Sequence, residues 1–341
     1  MLSGWKRLFP RGGKRRKRHG MYPARRSVSK RVIPMAPPMA RPFAGLERGI
    51  SYFGFSQRGE SHIRSGKPCQ DRCCFARVQG SGILIFAAAD GLGSCDHSDR
   101  GAYTAVHAAA DYLEDALSLR KASLNDAGAG KLLRQTMQAA CRAVERYAAR
   151  EQMPVWAYQS TLTVALYDGR ALYFAHAGDD GIVALTKTGV LALATVRHKG
   201  EEASSVYPLQ NKSTWQFGKV ENTAAFILAT DGVLDAFVGS EMEGNRVYYP
   251  FLEPVLTKPI RDEADVRQLC RDFYDYMKSE PYRQRVTDDL TFIAVCNQNA
   301  VHQCLPQFDL QTWEAETIAY EARRRAALYP SKTDTMEEEA L

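Results

Sequence analysis

The chain has 341 residues, 45% of them apolar, which is enough for one large domain or two small ones and too much for a generically disordered protein. Its 45 Lys and Arg against 39 Asp and Glu give a net charge of +6, yet residues 1–50 hold 14 of the basic residues and a single acid, Glu47, so the remainder is acidic by seven charges. The basic character belongs to one end, and a uniformly basic body that grips nucleic acid is excluded.

The first 46 residues, rich in Arg, Lys and Pro and without any period, read as a disordered tail. They carry no apolar stretch of the signal-peptide kind, and no segment of the chain reaches the roughly 18 to 20 apolar residues of a membrane span. Such a tail suits an acidic partner, nucleic acid or anionic lipid, and a solvated tail without a partner is an equal alternative. Strands follow at Ile50 to Phe55, Cys73 to Val78 and Ile83 to Ala89, where apolar residues alternate or run together. From Ser98 the apolar positions Ala102, Val106, Ala109, Leu113 and Leu117 keep helical spacing. A break at Asn125 to Gly130 separates them from a second helix with Leu133, Met137, Ala140, Val144 and Tyr147 on one face.

Four short apolar runs then predict an antiparallel meander: Ser160 to Leu166, Ala171 to Ala177, Gly181 to Thr186 and Val190 to Ala194. Residues Ala236 to Pro259 have no clean period and read as a long excursion or flap. A helix through Val266, Leu269, Phe273 and Met277 precedes a last strand, and another is expected around Trp313 to Leu328, ahead of the acidic end "MEEEAL". Segregated strands and paired helices predict an α+β layered sandwich. The eight cysteines lack zinc-like spacing and are expected to be reduced thiols in a cytosol.

Chemistry is written where strands end. "ILIFAAADGLGS" and, about 140 residues later, "AAFILATDGVLD" are buried-strand patterns that stop at Asp-Gly, at Asp90 and Asp231. One Asp-Gly is a turn. Two at matching positions, with "DDLTFIAV" placing Asp288 and Asp289 before a third strand, would bring three carboxylates to one rim of a sheet if that strand runs antiparallel to the others. Clustered carboxylates repel, and a hard divalent cation, Mg²⁺ or Mn²⁺, neutralises them most simply.

In order along the chain, "CQD" at Cys69 to Asp71, "ADGLG" at Ala89 to Gly93, "QSTLTVAL" at Gln159 to Leu166, "HAGDDG" at His176 to Gly181, "ATDGVLD" at Ala229 to Asp235 and "TDDLTFIAV" at Thr287 to Val295 resemble the motifs of the metal-dependent PPM, or protein phosphatase 2C, family. The resemblance covers roughly residues 48 to 298. It implies a four-layer sandwich of two antiparallel sheets flanked by helix pairs, a catalytic domain over 47–300 and an added helical extension over 301–341. It also implies hydrolysis of phosphoserine and phosphothreonine in proteins by a metal-activated water, with two divalent cations, Mn²⁺ or Mg²⁺, as cofactors, a phosphoprotein substrate and a cognate kinase as partners in signalling.

Carried over by position, Asp71, Asp90, Asp231 and Asp288 would be catalytic. Asp90, the Gly91 carbonyl, Asp231 and Asp288 would ligate metal, and Asp71 would act through metal-bound water. Gln70, Asp179 and Asp289 would support these ligands, with a plain turn residue an equal alternative for Asp179. Arg64, then Lys67 and His62, are the candidates to grip phosphate. Three departures stand out: Gln70 where many members have Glu, Leu92 where some carry a His, and Trp156 where several hold a third metal with Asp. They leave open a second function, a catalytically weak pseudophosphatase that binds phosphoproteins.

Overall fold

The computed structural model describes residues 42–118, 126–198, 206–240 and 244–328. The expected tail through residue 41 and the acidic end lie outside them. Strand β1 (Phe43–Glu47) takes the last residues assigned to that tail and pairs antiparallel with β2 (Ile50–Gln57), around Gly49 at φ +77°. There follow α1 (Glu60–Ser65), β3 (Arg72–Arg77), β4 (Leu84–Ala89), α2 (Ser98–Ser118) and α3 (Asp126–Arg150). Next come β5 (Leu162–Tyr167), β6 (Leu172–Ala177), β7 (Gly181–Thr186), β8 (Leu191–Leu193), β9 (Gln216–Val220), β10 (Thr223–Ala229) and α4 (Asp231–Leu234). The chain continues with α5 (Tyr249–Thr257), α6 (Glu263–Lys278), α7 (Glu280–Arg283), β11 (Leu290–Asn297), α8 (Gln298–Val301) and α9 (Leu310–Leu328).

Two antiparallel sheets stack face to face. One has the order β1-β2-β11-β10-β7-β8 and the other β3-β4-β5-β6-β9. Both faces of the central strands are covered, which is why their sequences run apolar without alternating. In β4, Leu84, Phe86 and Ala88 join the layer between the sheets, while Ile85, Ala87 and Ala89 pack under α2 and α3. In β10, Phe226 and Leu228 face inward, while Ala225, Ile227 and Ala229 join Phe273, Leu252 and Met277 of α5 and α6. The layered α+β sandwich is thus present, helices outside and sheets within.

The expected single meander is instead divided between the sheets. β5 and β6 pair with each other, but β6 continues to β9, while β7 pairs with β10 and β8 in the opposite sheet. The turn "AGDDG" is therefore a crossing between layers, not a solvent hairpin, with Asp179 and Asp180 buried at its tip. The expected break before the second helix is largely helical, since α3 starts at Asp126, which bonds Lys219 Nζ at 2.6 Å and Tyr173 Oη at 3.3 Å. These tertiary bonds, with an acid in the first turn, outweigh the low propensity of Gly128 and Gly130. Within Ala236 to Pro259 an isolated bridge joins Val238 to Val247 and α5 follows, so only part of the excursion lacks regular structure. The helix expected around Trp313 is α9, and it docks on the body where Trp313 meets the Tyr248 ring at 4.7 Å.

Candidate active site

The acids meet at one end of the sandwich, between the sheets rather than along one rim. β10 and β11 are antiparallel neighbours and bring Asp231 and Asp288 together, whereas Asp71 and Asp90 come from β3 and β4 of the other sheet. Placing all three on one sheet was an error of topology, because strand direction alone does not say which sheet a strand joins.

Each carboxylate is fixed by its own short-range bonds. Asp71 is 1% exposed and accepts from the Thr230 hydroxyl at 2.7 Å, while that oxygen accepts from the Thr291 amide at 2.9 Å. The Asp90 amide donates to the Thr161 hydroxyl at 2.7 Å, and Thr161 in turn donates to Asp180. Gly91 lies so close to α2 that a Cβ there would stand 2.8 Å from the Ser98 carbonyl, so only glycine fits. Asp231 opens α4, where the helix N-terminus favours its charge.

Asp288 is exposed, while Asp289 is buried and accepts from the Gly59 amide at 2.6 Å, the Gln70 amide at 2.5 Å and His62 Nδ1 at 2.8 Å. The neighbouring acids thus divide the work: Asp288 faces solvent at the site, and Asp289 ties α1 and the Asp71 segment to the start of β11.

Burial and mutual repulsion govern the protonation of this cluster. Burial raises Asp71, Asp90 and Asp180 well above the usual carboxylate range, and neighbouring acids push further: Asp289 on Asp71, Asp71 and Asp231 on Asp90, Asp179 on Asp180. Asp231 is pushed up to about 7 by burial, then by Asp179 and Asp288. Asp71 and Asp90 act on each other as well as being buried, and Asp90 is raised further by Asp71 and Asp231.

Carboxylates whose charge is opposed by burial and by one another mark a place that suits a cation. Among the described residues no three His, Cys, Asp or Glu side chains converge as a cage that would hold an ion unaided. The expected set of three carboxylate ligands is thus not gathered into one cage, and a cation such as Mg²⁺, usually held by one or two carboxylates with several waters, needs none. The donor set is all oxygen, and Gln70 Oε1 is buried nearby without a hydrogen-bond partner. The residues present therefore fit a hard divalent cation.

The family model for protein phosphatase 2C matches residues 58–272, the stretch that contributes Asp71, Asp90, Asp180 and Asp231. The chain belongs to the protein phosphatase 2C family. No curated protein matches it. Among solved structures, a serine/threonine phosphatase of S. agalactiae is 14% identical with a TM-score of 0.51, covering 72% of this chain and 99% of that one. PppA, a regulatory component of the type VI secretion system in Pseudomonas aeruginosa, is 20% identical with a TM-score of 0.48, over 72% and 97% of the two chains. Stp1 of Staphylococcus aureus is 15% identical with a TM-score of 0.48, over 74% and 96%.

The three cations expected to grip phosphate in this 2C-family chain are each engaged elsewhere. Arg64 is 76% exposed in its side chain and paired with Glu60, Lys67 Nζ reaches the Gly93 carbonyl at 3.4 Å, and His62 is bonded to Asp289. Sequence reasoning missed Arg197. Its Nε donates to the Asp179 carbonyl at 2.8 Å and its Nη1 pairs with Asp235 at 2.5 Å, one helical turn past Asp231. It also missed Asp180, although the doubled acid in "GDDG" was a visible signal. Trp156 sits in a 3-10 turn, 59% exposed. All eight cysteines are buried and unpaired, and no helix among the described residues is long and apolar enough to cross a membrane.

Proposed function

We propose that the chain hydrolyses phosphoserine and phosphothreonine in proteins and needs Mn²⁺ or Mg²⁺ to do so. The observation that carries the reading is the convergence of Asp71, Asp90 and Asp231, from segments far apart in sequence, into a buried cluster that must take up positive charge. Asp90, Asp231 and Asp288, with the Gly91 carbonyl, would hold the metal, and Asp71 would orient water against it. Divalent cations bound there supply Lewis acidity that makes water nucleophilic near neutral pH and neutralise the phosphoryl oxygens.

The chain's own residues do the positioning. Thr230 fixes Asp71, the Thr161 hydroxyl links the Asp90 amide to Asp180, and Asp289 locks the loop that carries Gln70 and Asp71. Leu92 offers no proton, so the leaving alkoxide takes its proton from solvent. The reduced thiols agree with a cytoplasmic setting. The basic segment at residues 1–46 supplies an electrostatic arm for an acidic partner or nucleic acid.

Hydrolysis of an aryl phosphate and of a phosphothreonine peptide, measured with Mn²⁺ and with chelator, tests the reading. Turnover with Mn²⁺ and none in chelator is expected. Phosphopeptide binding without turnover at millimolar Mn²⁺ would establish the binding-module alternative, for which the missing charge at Gln70 is the specific argument.

A further inference from the structure

A cleft of about 1150 Å³ opens between α9 on one side and Arg197 with residues 235–240 and 245–248 on the other. It adjoins the acid cluster, because Arg197 on its wall bonds both the Asp179 carbonyl and Asp235. Four arginines line it, Arg197, Arg246, Arg285 and Arg323, against two acids. Both acids are already paired, Asp235 with Arg197 at 2.5 Å and Glu316 with Arg246 at 2.6 Å. Arg285 and Arg323 are exposed, and their side chains form no ion pair among the described residues.

Two of the lining residues also hold a buried donor without a hydrogen-bond partner. The Arg197 side chain is only 10% exposed, yet its Nη2 has no hydrogen bond, and neither does Trp313 Nε1. The exposed guanidiniums of Arg285 and Arg323 match carboxylates, which they can bind through two parallel N–H groups, and Tyr248 and Tyr320 add ring surface to the lining.

We propose that this cleft docks an acidic stretch of the phosphoprotein substrate and selects phosphoresidues flanked by Asp or Glu. The fate of the phosphate rests on the phosphatase reading above; the binding itself does not. A second candidate occupant is this chain's own segment 329–341, which follows α9 and carries Asp334, Glu337, Glu338 and Glu339. The substrate is favoured because Arg197 joins the cleft directly to the site where phosphate would be cleaved.

The test uses the full chain and two phosphothreonine peptides that differ only in flanking Glu or Ala, together with anisotropy of the unphosphorylated Glu peptide in chelator. We expect kcat/KM roughly tenfold higher for the Glu peptide, a preference that shrinks as salt rises. The ratio should fall to about threefold or less in the double variant Arg285→Ala, Arg323→Ala, with a matching loss of anisotropy binding. Because the readout is a ratio within one protein, general damage to activity cancels.

Equal kcat/KM for both peptides overturns the proposal. So does a preference that survives in the double variant, which would assign acidic recognition to the basic N-terminal segment. If Glu337→Gln, Glu338→Gln and Glu339→Gln together tighten binding of the acidic peptide about tenfold or more, the chain's own end is the occupant and the substrate proposal fails. Arginine-dependent anisotropy binding without turnover of any substrate would sustain the cleft and sink the phosphatase reading.

Discussion

Replacing Asp231 by Asn should stabilise the metal-free protein while abolishing turnover, and the gain should depend on pH in a defined direction. Asp231 titrates near 3.8 when unfolded and near 7 when folded, so the folded state binds more protons between these values. Metal-free stability therefore falls as pH rises from about 4 and levels off above about 7. Each pH unit across that window is worth about 1.36 kcal/mol, so the cost of the charged form grows by at most roughly 3 kcal/mol between pH 5 and pH 8. Protonating Asp231 also relieves Asp179 and Asp288, so the share that an Asn alone recovers is on the order of 1–2 kcal/mol.

At roughly 2–4 °C per kcal/mol for a domain of this size, the Asn variant's advantage in Tm should be about 3–6 °C larger at pH 8 than at pH 5 in chelator. Saturating Mn²⁺ should raise the Tm of the parent more than that of the variant, because only the parent gains a ligand by folding. The measurement is a set of thermal melts of both proteins in chelator and in Mn²⁺. A pH-independent advantage, a loss of stability, or near-parental hydrolysis would refute the assignment of Asp231 to a repelling, metal-neutralised cluster.

Other perturbations give equally specific outcomes. Gln70→Glu should lower the Mn²⁺ concentration for half-maximal rate, because a charge replaces the orphaned Oε1; an unchanged or higher requirement would show that Gln70 serves only through its amide bond to Asp289. Asp289→Asn leaves one of three buried donors poorly matched and should cost about 2–4 kcal/mol of stability in urea unfolding, metal present or absent. Thr230→Val, close in shape, should lower kcat more than it raises KM, since it frees Asp71 to rotate; a pure KM effect would place Thr230 in substrate binding instead.

What could be read from the sequence followed one physical rule. A strand buried on both faces cannot carry a charge, so Asp90 and Asp231 stood out at the ends of apolar runs. Most of the central strands and the α2 and α6 helices were equally visible in their periods, while β1 and β9 were not. What escaped depended on contacts between distant segments. Which sheet a strand joins is decided by loop geometry and by the fit of its two faces, so the meander was drawn whole where β6 turns to β9. The start of α3 depended on Lys219 and Tyr173, 93 and 47 residues away from Asp126.

The same distinction runs through the site. Asp71, Asp90, Asp231 and Asp288 announce themselves as charges next to apolar strands, but Thr161, Thr230 and Arg197 do not, because their roles exist only once the layers have closed. Thr230 follows β10 of one sheet and Asp71 precedes β3 of the other; the hydrogen bond between them can form only when both sheets are packed, so the geometry of the Asp71 carboxylate reports on the assembly of the whole sandwich. Arg197 is similar: in sequence it is one cation in a polar stretch, yet folding places it between Asp179 and Asp235 on the wall of the α9 cleft. The acids at the ends of apolar strands are the part that sequence displays. The parts that aim them, and that choose what reaches them, are built from ordinary residues whose positions the fold alone determines.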